Sequence, residues 1–312
     1  MSWLAELRRR LAAAGEAFVD PLLVEPDDGG LQAELPVRPE PKDGLNSCVV
    51  VVLDSCRFDA LAAAGGVPWL GELEQRWAWA SWTAPSHHNL LTGLLPHRAP
   101  TRVFASEVYK EHLEGWGSRL GAELPLERFL PGLWLPAVLR WGLGMRTVAR
   151  VSLPVLNPST GINRDFDDYR LMERHADLPG ILDSLSFDRP TFALLNVGET
   201  HYPYNHGGDE APELPHVSGL HGVARRLQAG EPLPADAWFT DESLATLKQR
   251  QVDAAAWCVG QLEQLRDELP KGTRLIVTAD HGELFGEGGY FGHGPIPRPE
   301  VFQVPYVEGV IR

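Results

Sequence analysis

Apolar runs broken by polar turns divide this chain from about residue 45 onward. Val49 to Leu53 is four valines and a leucine without interruption. Such a run has no polar face to give to water, so it reads as a strand buried on both sides in a parallel sheet. Thr191 to Leu195 and Arg274 to Val277 read the same way, and Arg146 to Leu153 reads as a further strand entered from a helix over Leu133 to Leu143. Trp77 to Trp82 is strand-like, and its tryptophans at 77, 79 and 82 are expected to share a face and pack together, with Trp82 structural. A turn at Pro85 leads into a helix from about Ser86 to Thr92, stopped by Gly93. Leu244, Leu247, Val252, Ala255, Ala256, Val259, Leu262 and Leu265 are spaced as one stripe of a long amphipathic helix over Asp241 to Leu269. Cys258 falls on or beside that stripe as a small buried apolar residue. Residues 1 to 44 read as a helix followed by a Pro/Asp/Gly-rich connector, and residues 205 to 240, rich in Gly, Pro and His, as a lid or substrate loop.

Composition changes this picture only at its margins. The 312 residues carry 44% apolar and 22% charged side chains, which suits one large α/β domain with insertions, or two domains. A net charge of −14 argues against nucleic acid or an anionic membrane as partner. It leaves room for an anionic substrate, because a bound metal and several histidines make a local positive pocket. No apolar run of membrane-spanning length is present, and the charged N-terminal stretch lacks the apolar core of a signal peptide. Three cysteines, Cys48, Cys56 and Cys258, read as reduced thiols. The expectation is a cytoplasmic protein acting on a small-molecule or carrier-bound anionic ester, with its oligomeric state open.

The candidate chemistry sits where strands end. In open α/β sheets ligands collect beyond the carboxyl ends of the strands. The Val49 run stops on Asp54, which by itself reads equally as a metal ligand or as a cap of the helix starting near Phe58; Asp59 is a candidate cap there. The Arg274 run leads into Asp280-His281-Gly282-Glu283, a carboxylate and an imidazole side by side. Zinc and manganese take that mixture of ligands. Thr83 lies just before a helix N-terminus, where the field favours anions; alone it reads as a helix cap.

These segments, in this order, resemble the alkaline phosphatase and sulfatase superfamily. In that family an Asp follows the first strand, a hydroxyl or modified Cys nucleophile stands two residues before a Pro with a helix behind it, and an Asp-His or Asp-Asn pair with Gly ends a late strand. Here these are Asp54, Thr83 with Pro85, and Asp280-His281-Gly282. Asn196 to Tyr204 is similar to a segment whose histidine, here His201 before Pro203-Tyr204, contacts the substrate. The closing run through Gly292-His293-Gly294 to Val304-Pro305-Tyr306 is similar to the ends of sulfatases, lipoteichoic acid synthases and phosphoethanolamine transferases. The resemblance spans roughly residues 45 to 310. It implies an alkaline-phosphatase-like three-layer sandwich, a mostly parallel central sheet flanked by helices, occupying residues 45–312 after the N-terminal segment.

One departure narrows the reaction. Sulfatases of the formylglycine type need Cys or Ser within Cys-x-Pro-Ser-Arg, whereas this chain reads Thr83-Ala84-Pro85-Ser86-His87. A threonine cannot become formylglycine. It is the nucleophile of the family's phosphodiesterases and its phosphoglycerol and phosphoethanolamine transferases. The resemblance therefore implies a metal-dependent phosphatase, phosphodiesterase or phosphotransferase. Asp54, Thr83, Asp280 and His281 would hold a divalent zinc or manganese ion, and His201 and His293 would act on the phosphate and leaving group. A second ion would draw on Glu199, His201 and His206, with His293 completing the set. The alternatives are a sulfatase-like or phosphonate hydrolase and a non-catalytic metal-binding member. Of the remaining histidines, one of His87 and His88 is expected to face the pocket, His206 reads as a solvated loop residue, and His97, His112, His175, His216 and His221 have no motif context. The acidic Asp165-Phe166-Asp167-Asp168-Tyr169 segment reads as an extended edge with a solvated turn.

Overall fold

The computed structural model describes residues 39–98, 105–129, 132–208 and 240–312. The N-terminal helix expected before residue 38 and most of the expected lid, residues 209–239, lie outside the described residues. The long apolar runs all become strands of one seven-stranded sheet in the order β2-β9-β6-β1-β5-β3-β4. Its centre is β1 (Cys48–Leu53), every residue buried, between β5 (Thr191–Val197) and β6 (Arg274–Thr278). Both pairings are parallel, as are β5 to β3 (Arg146–Val151) and β3 to β4 (Asp168–Leu171). β9 (Gln303–Val310) runs antiparallel to β6, and β2 (Glu74–Trp77) antiparallel to β9 at the far edge. A small hairpin, β7 (Leu284–Phe285) with β8 (Phe291–Gly292), stands apart.

Alternation along β1 separates two apolar layers. Cys48, Val50 and Val52 pack on one face with α2 (Thr83–Leu91) and α3 (Ala105–Leu120), through Leu90, Leu91, Leu113 and Trp116. The π-helical turn Val138–Gly142, which follows the single turn α4 (Leu135–Ala137), joins that layer through Leu139. Val49, Val51 and Leu53 pack on the other face with α1 (Phe58–Ala63), α5 (Leu178–Asp183) and the long α6 (Asp241–Glu268). The helix, sheet and helix layers are those expected, with six strands running one way and β9 running against them. Thr240 caps α6 by accepting from the Ser243 amide at 3.1 Å. The buried stripe of α6 is Leu247, Gln251, Ala254, Ala255, Cys258, Leu262 and Leu265, so Ala256 lies off the face predicted for it. Among the described residues no helix is long and apolar enough to cross a membrane.

Four local expectations are corrected. β2 ends at Trp77 rather than Trp82: its antiparallel partner Gln303 is the first residue of β9, and past one more backbone bond, Ala78 N–H to the Phe302 carbonyl at 2.8 Å, the neighbouring chain is the helix Pro299–Phe302. The three tryptophans therefore do not form a row: Trp79 packs on His97, Tyr109 and His112, while Trp82 is 41% exposed. Helix α2 begins at Thr83 itself, with Trp82 as the residue before it. Asp59 makes no cap hydrogen bond; it pairs with Arg57 and Lys248. In the acidic segment, Asp167 accepts from the Thr147 amide and Asp168 pairs with the buried Arg150, so these carboxylates tie β4 to β3 rather than decorate a solvated turn. Gly93 closes α2 at φ +91, where an added Cβ would lie 2.8 Å from Leu113 Cδ2.

Candidate active site

Because β1, β5 and β6 are parallel, their carboxyl ends open on one edge of the sheet. The register sets Val52 beside Thr278 and Leu53 beside Val197, so the next residues along each strand, Asp54, Gly198 and the Ala279-Asp280 pair, emerge together. Ser55 then turns with φ 59, a left-handed conformation unusual for a residue with a side chain. That turn lets its amide donate to Asp280 Oδ1 at 3.1 Å, joining the ends of β1 and β6. On the other side Gln251 of α6 donates to the Ser55 and Thr200 carbonyls at 2.9 and 3.1 Å, holding both loops from below.

Four predicted residues meet here. Asp54 Oδ1 accepts from the Thr83 hydroxyl at 3.4 Å and from Ser55 Oγ at 3.1 Å, and its Oδ2 accepts from Asn196 Nδ2 at 2.7 Å. His281 Nδ1 lies 2.9 Å from the Gly282 carbonyl. A carbonyl only accepts, so Nδ1 carries the proton and the Nε2 lone pair is left for the site. Nε2 stands 3.3 Å from both Thr83 Oγ1 and Asp280 Oδ2. Asp280 Oδ2 is buried without a hydrogen-bond partner. Gly282 permits this approach, since an added Cβ would sit 2.1 Å from the Glu300 carbonyl.

This donor set fits a divalent ion. Ligand atoms of Asp54, Asp280 and His281 lie within 4.8 Å of one another, and the Thr83 oxygen adjoins two of them. Two carboxylates, one imidazole lone pair and a hydroxyl are oxygen and nitrogen donors of the kind zinc and manganese accept. The charges point the same way. Burial and the Asp54 charge push Asp280 well above the usual carboxylate range. Burial also acts to raise Asp54, but the neighbouring His201, His281 and His87 and the Asn196 amide bring it down to about 2. Burial and the neighbouring His293 hold His281 well below the ordinary histidine range, so its lone pair stays available. A site with one carboxylate ionised and the other resisting ionisation is one a dication relieves.

The predicted histidines lie against this cluster. His293 has its ring centroid 4.3 Å from that of His281 and 5.5 Å from that of His201. Burial lowers His293, yet the Glu283 carboxylate 3.1 Å from Nδ1 outweighs it and the pKa is raised. Of the pair on α2, His87 is the inward one: buried, with Nδ1 2.9 Å from the Thr83 carbonyl and 3.6 Å from Asp280 Oδ2, while His88 is exposed. His206 is a half-buried loop residue beside Trp257, lining an open cavity of about 690 Å³ with His175 and Glu199. Neither Glu199 nor His206 joins a metal-type ligand group among the described residues.

Three participants escaped the sequence reading. Asn196 clamps Asp54 and accepts from the Ser152 and Leu153 amides; a lone amide in an otherwise apolar strand was its signal. Gln251, polar on the buried stripe of α6, gave a similar one. His175, whose ring lies 5.1 Å from His201, had none.

Glu199 supports a prediction about pH. Burial raises its pKa from 4.5 to about 7 while Oε1 accepts from the Leu178 amide at 2.6 Å. The unfolded chain ionises this group first. Its effect on stability is absent below about pH 4.5, grows unfavourably up to about pH 7 and is constant above that. Glu199→Gln keeps the acceptor and removes the ionisation. The variant should unfold at a higher temperature than wild type at alkaline pH, by roughly 3 kcal/mol of stability, and match it in acid. Equal melting at both extremes would show that Glu199 ionises freely in the folded protein.

No protein-family profile matches the chain, and no curated protein sequence does. Solved structures do share its fold. A 2-O GAG sulfatase superposes with a TM-score of 0.51 over 85% of this chain and 64% of its own, at 14% identity. The integral membrane lipooligosaccharide phosphoethanolamine transferase of Neisseria meningitidis superposes at 0.50 over 88% of this chain and 50% of its own, at 13% identity. The periplasmic domain of a Campylobacter jejuni phosphoethanolamine transferase reaches 0.49 over 88% and 80%, also at 13% identity. The chain thus spans half to two thirds of the first two. At this identity the likeness is one of fold, and it is the alkaline-phosphatase-like arrangement implied by the strand-end motifs.

Proposed function

We propose that this chain is a divalent-metal-dependent enzyme acting on phosphate esters, with Thr83 as nucleophile and water or an alcohol as final acceptor. The observation that carries the reading is the convergence on one hydroxyl: Thr83 Oγ1 lies 3.4 Å from Asp54 Oδ1 and 3.3 Å from His281 Nε2, beside the unpartnered Asp280 Oδ2. Asp54, Asp280, His281 and Thr83 would hold the ion, zinc or manganese, whose Lewis acidity makes the threonine proton easier to lose. The chain's own groups account for the rest. Thr83 is the first residue of the nine-residue helix α2, whose N-terminal field favours an incoming anion. Asp54 Oδ1 orients the hydroxyl. With the Thr83 proton released to water, attack forms the Oγ1–phosphorus bond and breaks the bond from phosphorus to the leaving oxygen, which takes a proton from His293 or His201. Attack by water or alcohol, whose proton returns to that histidine, then breaks the Oγ1–phosphorus bond, and Thr83 regains a proton from water.

Elemental analysis of purified protein tests the reading, together with release of nitrophenol from the phosphate monoester, the phosphate diester and the sulfate ester. Bound zinc or manganese with turnover of a phosphate ester is expected. Turnover of the sulfate ester alone favours the sulfatase-like alternative, and metal without any turnover the non-catalytic one.

The same assay separates one ion from two. His201→Ala and His293→Ala should each lower kcat by ~10²–10⁴ with the metal retained. Apo protein should regain its full rate with one equivalent of zinc. A requirement for two equivalents, lost in either variant, would make these histidines ligands instead.

A further inference from the structure

Glu283 has a buried carboxylate that none of the chemistry above uses. It stands immediately before β7, and His293 immediately after β8. The hairpin pairs Leu284 with Gly292 and Phe285 with Phe291. Extending that antiparallel register by one step sets Glu283 opposite His293, and Oε1 does lie 3.1 Å from His293 Nδ1. The second oxygen is also taken: Tyr204 OH donates to Oε2 at 2.5 Å. Tyr204 comes from a different segment, the loop that carries His201, and it is fully buried against Phe285. The base of the hairpin is held in turn by Arg57, which donates to the Glu283 carbonyl at 3.3 Å and pairs with Glu287 at 2.5 Å.

An ionised carboxylate can only accept, so the nitrogen facing it must carry a proton. Nδ1 is thereby committed to Glu283, with the ring packed beside those of His281 and His201. We infer that Glu283, braced by Tyr204, is a positioning residue: it fixes the tautomer and ring orientation of His293, and through Tyr204 it sets the His201 loop against the same imidazole. Burying a carboxylate has a cost that a methionine of similar length avoids, and here both oxygens are engaged by groups of the His201 and His293 segments. The inference rests on the phosphate-ester reading for its kinetic consequence and on geometry alone for its tautomer.

The test uses zinc-loaded protein and three variants. Glu283→Met keeps the volume and loses the acceptor. Glu283→Gln keeps an oxygen that can accept from Nδ1. Tyr204→Phe keeps the ring and loses the brace. Long-range proton–nitrogen correlation of the histidine rings should show His293 protonated on Nδ1 in wild type and in Glu283→Gln, and shifted toward Nε2 in Glu283→Met. On a phosphate ester, kcat should fall by ~10–100-fold in Glu283→Met with KM nearly unchanged, and by less than ~10-fold in Glu283→Gln and Tyr204→Phe, each with zinc retained. A Glu283→Met protein with the wild-type tautomer and kcat overturns the inference, as does a Gln variant that follows Met rather than wild type in its spectrum. Should wild type turn over no phosphate ester, the proposed function fails, and the ring spectra still decide the role of Glu283.

Discussion

Thr83→Ala is expected to abolish turnover, by on the order of 10⁴-fold or more, in a protein that still folds and still binds metal. Thr83 is 5% exposed and its hydroxyl lies between Asp54 and His281, so its removal forfeits a modest hydrogen-bonded contact, about 1 kcal/mol. The helix does not depend on it: Thr83 is the first residue inside α2 rather than its cap, and Ala is the better helix former. Thr83→Ser keeps the oxygen and loses the methyl that stiffens χ1, so it should retain measurable activity with a less confined nucleophile. The Ala variant should elute as wild type, melt within a few degrees of it, and, with Asp54, Asp280 and His281 in place, still bind zinc but more weakly. Wild-type turnover there would eliminate a covalent route and leave direct attack by water.

Asp280→Asn is expected to have the second large effect, and its sign should reverse with metal. The asparagine can still accept at Oδ1 from the Ser55 and His281 amides, at 3.1 and 3.0 Å. What disappears is a charge that burial and Asp54 both oppose. Without metal the variant should therefore melt at or above wild type. With saturating zinc the order should invert, because wild type gains the binding free energy and the variant, its affinity lowered by more than the ~10–100-fold typical of residues behind the ligands, gains less. Full metal occupancy in Asp280→Asn after dialysis would remove Asp280 from the ligand set. A variant less stable than wild type in both states would make Asp280 a structural carboxylate.

The residues that the sequence revealed and those it hid differ in how their role is encoded. β1, β5 and β6 were readable because a run buried on both faces cannot hide its composition, and Asp54 and Asp280 because a charge ending such a run has few reasons to be there. The meeting of Thr83 with them was readable only through the order of motifs, since α2 crosses the layer on the far side of the sheet. Asn196, His175, Gln251 and Glu283 act through partners far along the chain or across a hairpin, fixed by strand register and helix docking. No local pattern announces such a partner. The tryptophan row failed for a related reason: alternation predicted a strand through Trp82, but the length of β2 is set by where its neighbour β9 begins.

The shared carboxyl edge of β1, β5 and β6 makes the sheet a ruler for this site. Each strand residue advances the chain by about 3.3 Å and reverses its facing. Removing one residue from β1 would carry Asp54 that far from Asp280 and turn it toward the other layer, whereas metal ligands tolerate about 0.2 Å. Strand lengths are thus closed to insertion and deletion. The connections that leave the same edge are not measured by the ruler, because changes in their length move nothing upstream. On the proposed reading, a chain built this way can exchange one substrate for another by rewriting the loops beyond its strands, with Thr83, Asp54, Asp280 and His281 left in register.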